Sequence, residues 1–379
     1  MHFLSSAFHY IIPFLVNLAI VVFVHEMGHF LVARRNGVRI EVFSIGFGSE
    51  LFGWTDRRST RWKISALPLG GYVKMFGDAN AASMPGAETS ELSAEERAVS
   101  FQHKRVGQRA AVVAAGPVAN FLFAVLVFAA LFSIVGRPFT PPVVGEVEPN
   151  SAAARAGFKA GDRIVRIGDQ KIDRFQQIQQ IVQFDLGDPL TIQVMRDGKA
   201  QDLEVRPDIV EQHDHFGHTY RIGRLGLRSN SVDYVRLAPL QALSQAGQES
   251  MYLTEATLKA IGQMIAGTRT TEELGGPLRI AQMSGEMAQS GLLSTSNIWF
   301  LAVLSLNLGL INLFPIPMLD GGHLLFYAVE AVRRRPLGPR IQDYGFRIGL
   351  TLVLLLMIFA TWNDLVHLKV IQFVAGLMS

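Results

Sequence analysis

Apolar residues fall into four blocks long enough to cross a bilayer, and the segments between them follow other periods. Ile11 to Val32 is the first; at about 1.5 Å per residue it covers a hydrocarbon core of about 30 Å. Ala110 to Val135 is the second and is interrupted by Gly116-Pro117 and Asn120. A lipid-facing helix tolerates such residues poorly, so that side is expected to pack against protein. Trp299 to Leu319 is the third; it carries Asn307 and Asn312, and its end, Phe314-Pro315-Ile316-Pro317, is too proline-rich for a regular helix. Ile348 to Ala360, extended at both ends, is the fourth, and Leu365 to Met378 reads as an amphipathic tail at the interface.

Between these blocks the pattern changes. Trp62 to Leu67, then Pro68-Leu69-Gly70-Gly71, then Tyr72 to Met75 predicts a hairpin with an exposed edge, in a loop rich in Lys and Arg. Val143 to Pro207 alternates short β-rich runs (Val143-Val144, Ile164 to Ile167, Leu190 to Val194) with turns at Gly161-Asp162, Gly168-Asp169 and Asp197-Gly198, which predicts a small mixed domain. Ser231 to Ser290 is mostly helical by period, amphipathic around Ala238 to Ile265 and broken at Gly275-Gly276-Pro277. The expected divisions are residues 1–136 with two spans, the hairpin loop and the first polar motif, 137–210 as the β-rich domain, 211–296 as an amphipathic helical region, and 297–379 with two further spans and a tail.

Composition supports a membrane protein with a soluble module: 49% of 379 residues are hydrophobic and 18% charged, too apolar and too long for one soluble domain. The formal charge is +3 and the basic residues lie beside apolar blocks, so they act as orientation signals and give no nucleic-acid footprint. With four spans, the loops after the first and third lie on one side, and both carry arginine clusters: Arg34 and Arg35, then Arg333 to Arg335 and Arg340. The positive-inside rule assigns that side to the cytoplasm, leaving both termini and the β-rich domain outside. A cleaved signal peptide is not expected, because the first block has no basic n-region. Cysteine is absent, which excludes disulfides, thiolate zinc sites and cysteine nucleophiles; any metal must use His, Asp or Glu.

The candidate chemistry sits inside the first block, at His25-Glu26-Met27-Gly28-His29. His25 and His29 project from one helical face, the spacing with which His-Glu-x-x-His holds Zn2+ and uses the Glu as general base. The competing reading is a helix with two incidental histidines, but ionisable groups at membrane depth are costly and usually functional. Catalytic zinc wants three protein ligands and one open position. Asp320, at the end of the broken third block, is placed to be the third ligand or, alternatively, an N-cap of the helix that follows. Asn312 is a candidate oxyanion donor, though Asn307 and Asn312 could equally tie spans together. His323 reads as a neighbour that does not ligate; His103, His213, His215 and His218 lie in polar segments and receive no role. Unwinding a transmembrane substrate calls for a strand edge to pair with, and the Trp62–Met75 hairpin offers one. An ordinary hairpin is the plainer reading.

These residues together resemble the site-2 protease family of intramembrane zinc metalloproteases. The motifs are His25 to His29, Phe43 to Gly48, Pro68 to Met75, and Asn312 to Gly322, in family order. Val143 to Pro207, with Ala156-Gly157-Phe158-Lys159-Ala160-Gly161-Asp162, resembles a PDZ domain of the circularly permuted bacterial kind. The resemblance implies a polytopic α-helical membrane protein with four transmembrane helices, a membrane-associated β-hairpin and an extracytoplasmic α+β PDZ domain. It implies zinc on His25, His29 and Asp320, Glu26 as catalytic base, and substrate handling by Asn312 and by the hairpin residues Leu67, Pro68, Gly70, Gly71 and Tyr72. It further implies a bacterial inner-membrane enzyme that cleaves a single-pass membrane protein, such as an anti-sigma factor, after a first extracytoplasmic cleavage, or clears signal-peptide remnants, with the PDZ region filtering by size; a monomer embedded in the lipid bilayer is expected. Enterobacterial members carry two PDZ domains, and no second copy of the Ala-Gly-Phe pattern follows Pro207 here. Other function classes are a non-catalytic PDZ scaffold and, less well supported in the absence of an internal repeat, a transporter.

Overall fold

A computed structural model describes residues 2–78, 92–184, 188–213, 219–230, 233–267, 275–335 and 337–367. In chain order the elements are α1 (His2–Arg35), β1 (Ile40–Thr55), β2 (Arg61–Met75), α2 (Ala94–Val99), α3 (Val106–Ile134), β3 (Arg137–Phe139), β4 (Glu146–Val147), α4 (Ala152–Arg155), β5 (Arg163–Ile167), β6 (Gln170–Lys171) and α5 (Phe175–Phe184). They continue with β7 (Leu190–Arg196), β8 (Lys199–Val205), β9 (Asp208–His213), β10 (Thr219–Arg224), β11 (Leu227–Arg228), β12 (Asp233–Val235), α6 (Pro239–Ile265), α7 (Pro277–Met287), α8 (Thr295–Asn312), α9 (Asp320–Arg333) and α10 (Pro339–His367). The chain divides into two units, one of residues 1–130, 243–262 and 270–379 and the other of 131–242 and 263–269.

The first unit holds four helices long and apolar enough to cross a membrane: His9–Arg35, Val106–Ile134, Thr295–Asn312 and Arg340–Leu365. The protein is a multi-pass membrane protein. The third expected block is cut short, because α8 ends at Asn312 and not at Leu319. Pro315 and Pro317 supply no backbone N–H and push the residues before them out of the helical region, so 313–319 runs as turns before α9 starts. Most of the tail after Leu365 lies outside the described residues.

Small and amide residues set how the spans pack, as the sequence implies. Asn17 on α1 and Asn297 on α8 are both buried and exchange amide hydrogen bonds of 2.9 and 3.2 Å. A Cβ on Gly309 of α8 would press on Pro117 and Asn120 of α3, so the two helices approach to near backbone contact there. Ser305 Oγ donates to the Asn120 carbonyl at 3.0 Å. These are the close approaches and interhelical hydrogen bonds that hold helices together where burial from water supplies no drive. By contrast α10 is apolar and exposed on nearly every side, as a helix facing acyl chains would be.

The expected turn at Pro68–Gly71 is not a hairpin turn. Trp62 to Met75 belongs to one continuous strand, and the hairpin turn lies at 56–60, where Asp56 Oδ1 accepts from the Arg58 and Thr60 N–H groups. Both β1 and β2 fold back on themselves, so Val42–Ile45 is paired on one side with Gly71–Lys74 and on the other with Arg61–Ile64, whose far side carries Phe52–Thr55. The two arms of the expected hairpin are therefore separated by β1. Gly70, at φ +149°, makes the bend, and a side chain there would strike the Phe47 ring. Gly71–Met75 becomes an outer edge, while Leu51, Phe52 and Trp54 project as exposed apolar residues from the opposite arm.

The second unit is built on a sheet of order β6-β5-β7-β8, backed by α5. Phe158, Ile164, Ile178, Val182, Ile192 and Val194 form its core. Val143-Val144 contributes a single bridge to Arg163 in place of a strand. The core also takes in Leu225, beyond Pro207, because Ala153 N–H donates to the Leu225 carbonyl at 2.9 Å and Glu148 N–H to that of Gly226 at 2.8 Å. Strands β9 to β12 thus occupy a stretch expected to open the helical region, and helix begins only at Pro239. Buried Asp162 accepts both Nε and Nη2 of Arg196 at 2.7 Å and the Lys159 N–H at 2.8 Å.

Candidate metal centre

His25 and His29 lie one turn apart on α1, and a glycine on the neighbouring helix makes room for them. A Cβ built on Gly116 of α3 would fall on the His29 ring and beside that of His25. Both imidazoles are buried, at 7% and 8% exposure, between α1, α3 and the start of α9. Asp320, first residue of α9, brings Oδ2 to 3.1 Å from His25 Nε2 and 3.5 Å from His29 Nε2. Its approach depends on the 313–319 turns, where Met318 adopts φ +100°, and on Gly321 and Gly322, which pack directly against the carbonyls of Leu313, Phe314 and Ile316.

The donor set fits a divalent cation. Among the described residues, His25, His29 and Asp320 form the one group of three such side chains whose ligand atoms lie within 4.8 Å of one another. His29 Nδ1 donates to the Val112 carbonyl at 2.8 Å, which leaves its Nε2 with a free lone pair directed inward. That nitrogen faces His25 Nε2 at 3.1 Å, and the buried Oδ2 of Asp320 takes no hydrogen bond. Two imidazole nitrogens and a carboxylate oxygen converge on one point, an arrangement that a cation between them would satisfy. One carboxylate and two imidazoles, their nearest atoms 3.1 to 3.5 Å apart, are a donor set that would suit a catalytic zinc ion.

The expected site residues divide clearly. A cavity of about 180 Å³ is lined by His25, Glu26, His29 and Asp320, by Asn312 at the end of α8, by Gly71 and Tyr72 of the β2 edge, and by His323. Leu67, Pro68 and Gly70 lie on the same strand outside that lining. Strand and helix meet closely: a Cβ on Gly71 would crowd Val22 and Glu26, and the Val73 backbone hydrogen-bonds the Glu26 carboxyl. His323 is half-buried, and burial holds its imidazole below the usual range. Asn307 meets Thr257 Oγ1 of α6 at 3.5 Å, away from the cavity. His103 bonds Ser100 outside the site, while His215 and His218 lie outside the described residues.

Three contributors escape the sequence reading. Asn120 reaches His25 Nδ1 with its amide, Val112 orients His29 through a backbone carbonyl, and Gly116 provides the space for both rings. The break at Gly116-Pro117 and Asn120 was the available signal for two of them; a carbonyl leaves no signature in a sequence.

The family described as Peptidase family M50 matches residues 13–356 of the chain. A relative from Agrobacterium fabrum, a zinc metalloprotease by name, is 47% identical over 94% of this chain and 95% of its own length. One from Rhizobium meliloti with the same kind of name is 47% identical over 96% and 99%. The metalloprotease MmpA of Caulobacter vibrioides is 40% identical over 97% and 98%.

Proposed function

The chain belongs to peptidase family M50, the site-2 family of zinc metalloproteases, and we propose that it hydrolyses a peptide bond inside the transmembrane segment of a single-pass membrane protein such as an anti-sigma factor. The cleavage would follow a first cut outside the membrane, as in regulated intramembrane proteolysis; signal-peptide remnants are a second substrate of the same kind. The observation that carries this reading is the convergence of His25, His29 and Asp320 around one point, in a cavity that Glu26 also lines, on a helix that is itself a membrane span.

In this reading His25, His29 and Asp320 hold the zinc. A zinc ion supplies Lewis acidity there and makes water nucleophilic near neutral pH. Glu26, on the same cavity wall, takes the proton of the attacking water and returns it to the leaving amine. Asn312 donates from its amide to the oxyanion or to the substrate backbone. The outer edge at Gly71–Met75 pairs with an extended stretch of substrate, which removes the helical hydrogen bonds that would otherwise shield the scissile bond. Gly71 and Tyr72 would carry that contact at the cavity, with Leu67, Pro68 and Gly70 extending it.

Orientation follows from charge. The arginine clusters near the ends of α1 and α9 support an orientation with those loops, and the metal-holding side, at the cytoplasmic face of the bacterial inner membrane. The second unit then faces outward as a PDZ-like domain that screens substrates by size, and the chain works as a monomer. The reading is tested with Glu26→Gln in purified protein, using a transmembrane peptide as substrate. Loss of turnover by at least about 100-fold with zinc content unchanged is the expected result. Unchanged turnover, or a wild type with none, would favour a non-catalytic scaffold.

A further inference from the structure

The two histidines of the site are held from behind in different ways. His29 donates from Nδ1 to a carbonyl, so its Nε2 is necessarily the lone-pair nitrogen. His25 instead meets a side-chain amide: Asn120 is fully buried, its Nδ2 stands 3.2 Å from His25 Nδ1, and its Oδ1 is buried with no partner. With the amide N–H facing it, His25 Nδ1 must accept, which puts the ring proton on Nε2. That nitrogen lies 3.1 Å from both His29 Nε2 and Asp320 Oδ2, where a ligand needs a free lone pair. An amide is nearly symmetric in size, so half a turn of the side chain replaces the donor by the orphaned oxygen at no steric cost.

Resting on the metal reading above, we propose that Asn120 is a positioning residue that turns Oδ1 toward His25, accepts the Nδ1–H and thereby commits Nε2 to the metal. It does for His25 what the Val112 carbonyl does for His29, with one difference. A carbonyl fixes the tautomer permanently, whereas the amide can serve either tautomer, so His25 is the ligand that adjusts when metal enters or leaves. The Ser305 hydroxyl of α8 donates to the backbone carbonyl of Asn120 at 3.0 Å and so makes no demand on the side-chain amide.

The experiment measures zinc affinity of chelator-stripped protein in detergent, by competition with a chromophoric chelator, for wild type, Asn120→Leu, Asn120→Asp, Ser305→Ala and Asp320→Ala. Thermal melting of each metal-free form serves as the check on folding. Asn120→Leu, of similar size but unable to accept, is expected to weaken zinc binding about 10- to 100-fold. Asn120→Asp, which can only accept, should bind within about threefold of wild type or tighter, and Ser305→Ala should leave affinity unchanged although it removes the other bond at this residue. Wild-type affinity in Asn120→Leu overturns the proposal. So does an Asn120→Asp protein that folds but binds zinc no better than Asn120→Leu, because the amide N–H would then be the group His25 needs. A wild type that takes up no zinc, or an Asp320→Ala protein that takes it up normally, overturns the metal reading instead.

Discussion

His25 Nε2 and Asp320 Oδ2 lie 3.1 Å apart, although one residue belongs to the first membrane helix and the other follows the third. What joins them is a break in the chain. The 313–319 turns bring α9 in with Asp320 at its first position, and the turns are themselves braced by α10, where Gly349 leaves room for nothing but the Pro317 carbonyl. All four spans or their connections thus touch the arrangement that holds two imidazoles and a carboxylate together.

Gly116→Ala separates packing from propensity. On helix propensity alone the change should stabilise α3 by about 1 kcal/mol. Its Cβ would instead enter the space of His29 and His25, so the rings must move. The expected outcome is loss of most peptidase activity and at least about tenfold weaker zinc retention, measured by zinc content after dialysis, with the secondary structure seen by circular dichroism preserved.

Asp364→Ala tests the contact between α7 and α10. The buried Asp364 carboxylate accepts from the N–H groups of Gly276, Leu278 and Arg279 at 2.8 to 3.0 Å, capping α7 from a distant helix. Removing it leaves those N–H groups unsatisfied and should cost about 1–3 kcal/mol. Hydrogen exchange should rise at Leu278 to Ala281 while the amides around His25 stay protected.

Asp162 gives a pH signature in the second unit. Burial pushes its carboxyl up, but the Arg196 guanidinium and the Lys159 N–H outweigh that and hold it below the usual carboxylate range. A lowered folded pKa means that the stabilisation is full above about pH 4, the unfolded value, and is lost as pH falls through the folded one. Acidification from pH 6 to pH 3 should therefore lower the protection of the β5 and β7 amides, measured as exchange relative to the intrinsic rate at each pH, and Asp162→Asn should remove much of that pH dependence.

The spans were legible in the sequence because an apolar run of twenty residues has few alternatives, and His25, His29 and Asp320 stood out as candidates because they are costly residues in such surroundings; the structure brings the three together. The sheet was not. Pro68-Leu69-Gly70-Gly71 has the composition of a turn, yet it lies within one strand, because Val42–Ile45 inserts between the arms that a local reading would pair. Leu225 joins the second core for the same kind of reason: its partners, Ala152 to Phe158, are remote in sequence. Asn120 was visible as an anomaly in an apolar helix, but its role at His25 depends on how α1 and α3 are set side by side.

In the proposed mechanism His25, His29 and Asp320 grip one zinc ion. The direct measurement is zinc per chain in purified protein, by elemental mass spectrometry, for wild type, Asp320→Ala and Asp343→Ala, the last an exposed carboxylate elsewhere on the chain. About one zinc is expected in wild type and in Asp343→Ala and little in Asp320→Ala, since a site deprived of its acidic ligand would hold the ion poorly. Full zinc occupancy in Asp320→Ala would contradict it.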